Sequence, residues 1–219
     1  MLMFTTTDLV AIWTKVPTDK GEHEVIIASA YLPGDEETAP TRELVALVNY
    51  CKENHLRWII GCDANAHHTI WGSTNINARG ECLLEFLLRY NVSIVNRGNE
   101  PTFRNAIREE VLDLTLCSPN VLSEVSNWHV SGEASMSDHS LIRFNLGDLD
   151  SGTVDDVNEA SYLSFTNGSE LEEQVGGGFY PEWLDSSASF RLPNLSSVFQ
   201  VEVNAIRERV LLLEKGRLL

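Results

Sequence analysis

Apolar residues in the first part of the chain repeat with two different periods. The segment from Glu24 to Tyr31, EVIIASAY, is mostly apolar and predicts a buried strand, which a Pro-Gly-Asp turn at 33–35 ends. The next apolar residues recur three and four positions apart, which predicts an amphipathic helix capped by Thr38 or Thr41. The buried face of this helix would contain Leu44, Leu47, Val48 and Cys51.

The pattern then returns to a strand and to a second helix. Residues Arg57 to Cys62, RWIIGC, predict a core strand. The stretch from about Arg79 to Arg89 repeats the helical stripe, and Asn91 is its expected end. The stripe contains Leu83, Leu84, Leu87 and Leu88.

Short strands separated by polar turns follow the second helix: VSIVN, PTF, VLDLTLCS, SNWHVSG and SLIRFNL. Helix-bearing crossovers followed by a strand-rich end predict an α/β (α+β) fold with a mixed sheet. We expect a partial two-sheet sandwich with the helices outside.

Between Leu146 and Ala160 the sequence becomes acidic and poor in apolar residues, which predicts a domain boundary. The domains would be residues 1–147 and 161–219, with an acidic linker at 148–160. The second domain contains three candidate strands, YLSFT, GGGFY and SASFRL, and an amphipathic helix from about Ser197 to Leu213. This order predicts a βββα unit.

Charge and composition narrow the functional classes. The 219-residue chain has a formal net charge of −16, so it lacks the broad basic face of proteins that bind nucleic acid mainly through phosphates. A nucleic-acid site would have to be local, with its acidic groups masked by divalent cations. No membrane span, secretory signal or C-x-x-C pair is visible, which favours an intracellular protein, with nucleus and cytoplasm both open.

Three polar motifs stand at the ends of predicted strands: Asp63 with Asn65, then Asp113, then Asp138 with His139. Hydrolysis of a phosphodiester needs a divalent ion, a base that activates water and donors for the phosphate oxygens. His139 is suited to be the base, because imidazole titrates near neutral pH. Asp113 can orient that imidazole or bind metal, and Asn65 can contact phosphate or metal.

The order of these motifs resembles that of the endonuclease/exonuclease/phosphatase superfamily, from Ser29-Ala30-Tyr31-Leu32-Pro33 through Leu146. The segments IIGCDANAHHTIWGS, ARGECLLEFL, NRGNEPTF and SMSDHSLI more closely resemble the apurinic/apyrimidinic-type endonuclease of non-LTR retrotransposons. The resemblance implies a deoxyribonuclease I-like sandwich that nicks DNA with Mg²⁺, or with Mn²⁺.

The resemblance also implies roles for individual residues. His139 would be the base, Asp113 would orient it, and Asp63 would bind metal or position the attacking water. Asp138 would help to hold the metal. The scissile phosphate would be held by Tyr31 and Asn65, and Thr102 would lie on a strand next to the substrate.

Members of this superfamily begin with a strand that carries an Asn and a second strand that carries a metal-binding Glu. Neither is located before Ser29, and Glu22 and Glu24 lie in a polar run that is typical of a hairpin turn. We therefore expect the first strands of the fold to be missing and the activity to be impaired.

In the tail, Thr166-Asn167-Gly168-Ser169 ends a predicted strand and Phe199-Gln200-Val201-Glu202 opens the predicted helix. This spacing resembles the beginning of a retroelement ribonuclease H domain, in which an Asp on the first strand and a Glu on the helix bind two metal ions. Here Asn167 stands in place of the Asp, and Glu202 matches the Glu. An amide lacks the charge that holds two divalent ions together, so we expect this substitution to remove most activity.

The leading hypothesis is a DNA-nicking endonuclease of a non-LTR retrotransposon joined to the start of a ribonuclease H. Its substrate would be DNA, with an RNA–DNA hybrid possible for the tail; no membrane partner is expected and the oligomeric state stays open. Two alternatives remain: an inert remnant that at most binds metal or nucleic acid, and a phosphodiesterase of the same superfamily with a non-nucleic-acid substrate.

Overall fold

The structure is a computed structural model that describes residues 2–18, 21–133, 135, 137–147, 168–171, 174–179 and 188–191. The helices are α1 (Arg42–Glu53), α2 (Ala78–Tyr90) and the short α3 (Pro119–Leu122). The first strands are β1 (Leu2–Thr5), β2 (Leu9–Thr18), β3 (Gly21–Tyr31), β4 (Trp58–Asp63), β5 (Ser93–Ile94), β6 (Phe103–Arg104) and β7 (Glu109–Glu110). The later strands are β8 (Asp113–Cys117), β9 (Val125–Val130), β10 (Ile142–Leu146), β11 (Gly168–Leu171), β12 (Gln174–Phe179) and β13 (Ala188–Arg191). No helix within these ranges is long and apolar enough to span a membrane.

A six-stranded mixed sheet with the order β1-β2-β3-β4-β8-β5 forms the centre of the fold. Strands β3 and β4 are parallel, while β2 and β8 run antiparallel to their neighbours. Parallel strands need a crossover connection, and α1 lies within it. Residues 25–28 of β3 and 58–60 of β4 are buried on both faces because the sheet is covered on both sides.

The two faces of this sheet pack against different layers, as the predicted sandwich with outer helices requires. One face packs against the apolar stripes of α1 and α2, which contain Leu44, Leu47, Leu83 and Leu87. The other face packs against β9, β10 and α3, which contribute Val121, Trp128, Phe144 and Leu146. Within the described residues, β9 and β10 form a two-stranded second sheet, and the sandwich is partial to that extent.

The polar run before Tyr31 belongs largely to a hairpin of β2 and β3. Glu24 pairs with Lys15, and Glu22 pairs with Pro17. Strand β3 begins at Gly21, three residues earlier than its apolar pattern predicted, because pairing with β2 supports the polar residues. Both glutamates therefore lie at the opposite end of β3 from Tyr31.

The tail contains a three-stranded antiparallel sheet with the order β11-β12-β13. Strands β12 and β13 overlap the predicted strands GGGFY and SASFRL. The predicted YLSFT strand, the helix at 197–213, the linker at 148–160, Asn167 and Glu202 lie outside the described residues.

The beginning of α2 fits closely against the loop that follows β4. Asn77 caps the helix: its side-chain oxygen accepts hydrogen bonds from the N–H groups of Gly80, at 2.7 Å, and His67, at 3.1 Å. A Cβ atom on Gly80 would lie 1.9 Å from the carbonyl oxygen of His67. Only glycine therefore permits this contact between helix and loop.

We expect Gly80→Ala to lower the free energy of unfolding by about 1–3 kcal/mol, because main-chain atoms must move to relieve the clash. This is the net change: the cost of the clash exceeds the roughly 1 kcal/mol by which alanine is favoured over glycine within a helix. Urea unfolding measures the difference. Gly132→Ala is the control, since a Cβ there meets nothing within 4 Å. A Gly80→Ala chain as stable as the wild type would contradict this account of the contact.

Candidate active site

Strand pairing brings two carboxylates together at one edge of the central sheet. Asp63 ends β4, Asp113 begins β8, and their Cα atoms are partners in the antiparallel register. Tyr31 ends β3 and is the partner of Asp63 on its other side. Three of the predicted site residues therefore lie side by side on neighbouring strands.

His139 reaches this edge from the loop between β9 and β10. A single bridge pairs it with Phe103 of β6, and the two rings meet edge to face with centroids 5.0 Å apart. Nδ1 of His139 lies 2.9 and 3.0 Å from the two carboxylate oxygens of Asp113. A carboxylate only accepts hydrogen bonds, so Nδ1 donates and Nε2 is the acceptor nitrogen of the neutral ring.

Asp63 faces the other nitrogen of the same ring. Its Oδ2 atom lies 3.9 Å from Nε2 of His139. Burial, followed by the charge of Asp113, raises the pKa of Asp63, while His139 and the amides of Asn65 partly offset the rise. Oδ1 of Asp63 is buried and has no hydrogen-bond partner among the described residues.

The three side chains form a group that fits a divalent cation. One ligand atom each from Asp63, Asp113 and His139 lies within 4.8 Å of the others. The unpartnered Oδ1 of Asp63 supplies an oxygen of the kind that Mg²⁺ and Mn²⁺ prefer. Within the described ranges, no glutamate joins this group.

Asp138 lies outside the group, although it precedes His139 directly. Its side chain is exposed, and its carbonyl oxygen accepts a hydrogen bond from the N–H of Arg104 at 2.7 Å. The structure thus shows a main-chain contact of Asp138 that holds the His139 loop against β6. Its role as a metal ligand stays a prediction.

Tyr31 and Asn65 border the carboxylates. Burial, followed by the charges of Asp63, Asp35 and Asp8, raises the pKa of Tyr31, so its hydroxyl stays protonated. Asn65 has a left-handed backbone with φ of 43°, a conformation that asparagine tolerates better than most residues. Its side-chain amide donates to the carbonyl oxygen of Leu32 at 3.3 Å.

Thr102 is completely buried rather than open to a substrate. Its hydroxyl oxygen accepts hydrogen bonds from the N–H groups of Leu112, at 3.0 Å, and Asp113, at 2.8 Å. Its carbonyl oxygen accepts from the N–H of Ser140 at 2.6 Å. The structure thus shows Thr102 joining the backbone at Asp113 to the backbone beside His139, while its place next to a substrate stays a prediction.

The family model of the endonuclease-reverse transcriptases matches residues 25–143, more than half of the chain, and this span contains every residue of the cluster. The chain belongs to this family. A search of the curated proteins gives no significant match.

Among solved structures, this endonuclease-reverse transcriptase chain is similar to the endonuclease domain of TRAS1, a telomere-specific non-LTR retrotransposon. The identity is 28% and the TM-score 0.56, over 65% of this chain and 63% of that one. The chain therefore matches somewhat less than two thirds of the TRAS1 domain. The Xenopus laevis APE2 catalytic domain matches with 14% identity and a TM-score of 0.48, over 64% and 55% of the two chains. The 3′ phosphatase NExo from Neisseria matches with 11% identity and a TM-score of 0.45, over 64% of each chain.

Two buried charged residues support the site, and the sequence patterns did not identify either of them as functional. Glu110 is 6% exposed and Arg79 is 8% exposed. The sequence did contain a signal for Arg79, which is its position on the helix. It lies four, seven and eight residues before Leu83, Phe86 and Leu87 and therefore shares their buried face of α2. Glu110 gave no such signal, because its neighbour Glu109 is exposed and the strand is only two residues long.

Glu110 connects the loop after Asp63 to the strands that lead to Asp113. Its carboxylate accepts from the N–H and hydroxyl of Thr74, at 2.9 and 2.6 Å, and from the N–H of Val111, at 3.2 Å. Burial raises the pKa of Glu110, but these hydrogen bonds and nearby His67 outweigh it, so the pKa lies below its usual value.

We expect Thr102→Val to lower the free energy of unfolding by about 1–3 kcal/mol, because two buried N–H groups lose their acceptor. Thr102→Ser keeps the hydroxyl and should lose less. Urea unfolding compares the two variants. If Thr102 acted only by contacting a substrate, the valine variant would unfold with the wild-type free energy.

We expect Glu110→Gln to lower the free energy of unfolding by about 1–3 kcal/mol at neutral pH, since an amide replaces a charged acceptor of three hydrogen bonds. The carboxylate has a lowered pKa in the folded state. Its contribution is therefore present above the ordinary glutamate pKa and is lost as the pH falls through the lower, folded-state value. The difference between variant and wild type should accordingly shrink below about pH 4.

Urea unfolding at a series of pH values measures this difference. Glu109→Gln is the matched control, because Glu109 is exposed in the same short strand. An effect of Glu110→Gln that stayed constant down to pH 3 would contradict a charged Glu110 as the source of the stability.

Proposed function

We propose that this chain hydrolyses phosphodiester bonds of DNA as the metal-dependent, nicking endonuclease of a non-LTR retrotransposon. The observation that carries the proposal is the alignment of Asp113, His139 and Asp63. Nδ1 of the imidazole is 2.9 Å from one carboxylate, and its Nε2 is 3.9 Å from the other. Family membership and the similarity to the TRAS1 endonuclease domain support the choice of reaction and substrate.

His139 acts as the general base in this proposal. Two atoms 3.9 Å apart can both contact one water oxygen at a normal hydrogen-bond distance of about 2.8 Å. Nε2 of His139 therefore accepts the proton of a water that Asp63 also orients. Asp113 keeps Nδ1 protonated and stabilises the imidazolium that forms after proton transfer.

Asp63, with its unpartnered Oδ1, would hold the cation, and Asp138 is proposed as a further ligand from the SDH motif. Mg²⁺, or Mn²⁺, would neutralise charge on the scissile phosphate when bound. The side chains of Asn65 and Tyr31 would donate hydrogen bonds to phosphate oxygens. The protonated Tyr31 hydroxyl suits that role because it can donate.

The division into an endonuclease domain at 1–147, a linker at 148–160 and a second domain at 161–219 belongs to this proposal. The ribonuclease H-like role of Asn167 and Glu202, and an RNA–DNA hybrid as their substrate, stay predictions of the sequence.

The decisive experiment is nicking of supercoiled plasmid by the purified chain in Mg²⁺, with EDTA added to a parallel reaction. We expect nicking only with the metal. We expect losses of about 100-fold or more for His139→Ala, which removes the base, and for Asp63→Ala, which removes a metal ligand.

His129→Ala is the matched control, because His129 is an exposed histidine on β9 outside the cluster. Asp138→Ala in the same assay tests whether that carboxylate contributes. A folded, monodisperse chain that does not nick DNA would contradict the proposal and favour an inert remnant. Cleavage of an inositol phosphate in preference to DNA would favour the alternative hypothesis, a phosphodiesterase of the same superfamily with a non-nucleic-acid substrate.

A further inference from the structure

Arg79 is a buried cation whose hydrogen bonds go only to the main chain within the described residues. It is the second residue of α2 and is 8% exposed. Buried charges are usually paired with an opposite charge. Instead, each of its five N–H groups has a main-chain carbonyl oxygen as acceptor: Nε donates to Asn65, Nη1 to Glu36 and Thr38, and Nη2 to Leu32 and Ala64.

These carbonyl groups belong to the two segments that leave β3 and β4. Residues 32–38 follow β3, and residues 64–65 follow β4. The strands are parallel neighbours, with Tyr31 beside Asp63, so both segments emerge at the edge that carries the site. Arg79 thus links the two segments to each other and to α2, at N···O distances of 2.9 to 3.3 Å for four of the five bonds.

Asn65 depends most directly on this guanidinium. Its carbonyl oxygen accepts from Nε of Arg79 at 2.9 Å, and its side-chain amide donates to Leu32, whose carbonyl also accepts from Arg79. Asn65 has a positive φ, which asparagine adopts more readily than most residues, and these hydrogen bonds hold it in that conformation. Both ends of Asn65 are therefore fixed by groups that Arg79 holds.

We propose that Arg79 is a positioning residue for phosphodiester cleavage, which fixes Asn65 beside Asp63 through its five main-chain hydrogen bonds. This inference rests on the function proposed above. Arginine is required because its planar guanidinium carries five donors in a fixed arrangement, whereas the lysine ammonium carries three on a flexible stem.

The test compares Arg79→Lys with Arg89→Lys in the full chain. Arg89 lies in the last turn of the same helix and is exposed, so its replacement controls for an arginine-to-lysine change in α2. We expect Arg79→Lys to lower kcat for plasmid nicking by about 10- to 100-fold with little change in KM, because misplaced groups affect the reacting geometry more than substrate binding. Arg89→Lys should match the wild type.

A double-mutant cycle separates positioning from general stability. If Arg79 acts through Asn65, adding Arg79→Lys to an Asn65→Ala chain should lower kcat by less than about threefold further. A loss equal to that in the wild-type background would overturn the proposal, and so would a wild-type kcat for the single variant.

A readout that needs no catalysis keeps this inference distinct from the proposed function. The side-chain amide of Asn65 can be observed by NMR on ¹⁵N-labelled protein without metal. In Arg79→Lys its resonances should shift and its hydrogens should exchange faster with solvent, whereas Arg89→Lys should change neither. If the wild-type chain does not nick DNA, the proposed function fails while this measurement still decides whether Arg79 holds Asn65. An unchanged amide would overturn the inference.

Arg79→Gln is measured beside Arg79→Lys, because burying an ammonium group can itself unfold the chain. Circular dichroism and urea unfolding show which of the two Arg79 variants remains folded, and that variant is compared with the wild type and with Arg89→Lys. Loss of the folded state in both would assign Arg79 to stability rather than to positioning and would overturn the proposal.

Discussion

The pairing of β4 with β8 places two carboxylates next to each other, and the rest of the site is arranged around that constraint. Backbone register brings Asp63 and Asp113 together, and burial, followed by the charge of Asp113, raises the pKa of Asp63. His139 lies between them, with Nδ1 at 2.9 Å from Asp113 and Nε2 at 3.9 Å from Asp63. The imidazole ring therefore lies between the two carboxylates, and gain or loss of one proton by the ring changes the net charge of the three side chains.

Satisfied polar groups in the interior hold this unit in place. Thr102 accepts from the backbone at Asp113, Glu110 accepts from the loop after β4, and Arg79 donates to the loops after β3 and β4. Each connects segments that are far apart in sequence. Because a buried polar group is costly unless it is fully hydrogen-bonded, each group favours one arrangement of its loops over alternatives.

The sequence predicted the parts of the fold that local patterns control. The stripe of Leu44, Leu47 and Val48 and the apolar β3 and β4 appear as expected, because burial of one face or both faces sets their periodicity. The motif order also placed Asp63, Asp113 and His139 together. Motif order did not predict that the Thr102 side chain is buried, because it does not report whether a side chain near a strand end faces inward or outward, which the neighbouring strands decide.

The charge balance of the site bears on its need for a cation. In the proposed reaction His139 is the general base, which must be neutral before it accepts a proton, so His139 would contribute no positive charge at the start. A phosphodiester bound there in the proposed reaction would therefore meet the carboxylates of Asp63 and Asp113, in a chain whose net charge is −16. The buried Arg79 donates all five of its N–H groups to the main chain and has none left for a phosphate. The proposed reaction therefore favours a bound metal ion as a source of positive charge, and Oδ1 of Asp63, which has no hydrogen-bond partner among the described residues, would offer that ion a ligand.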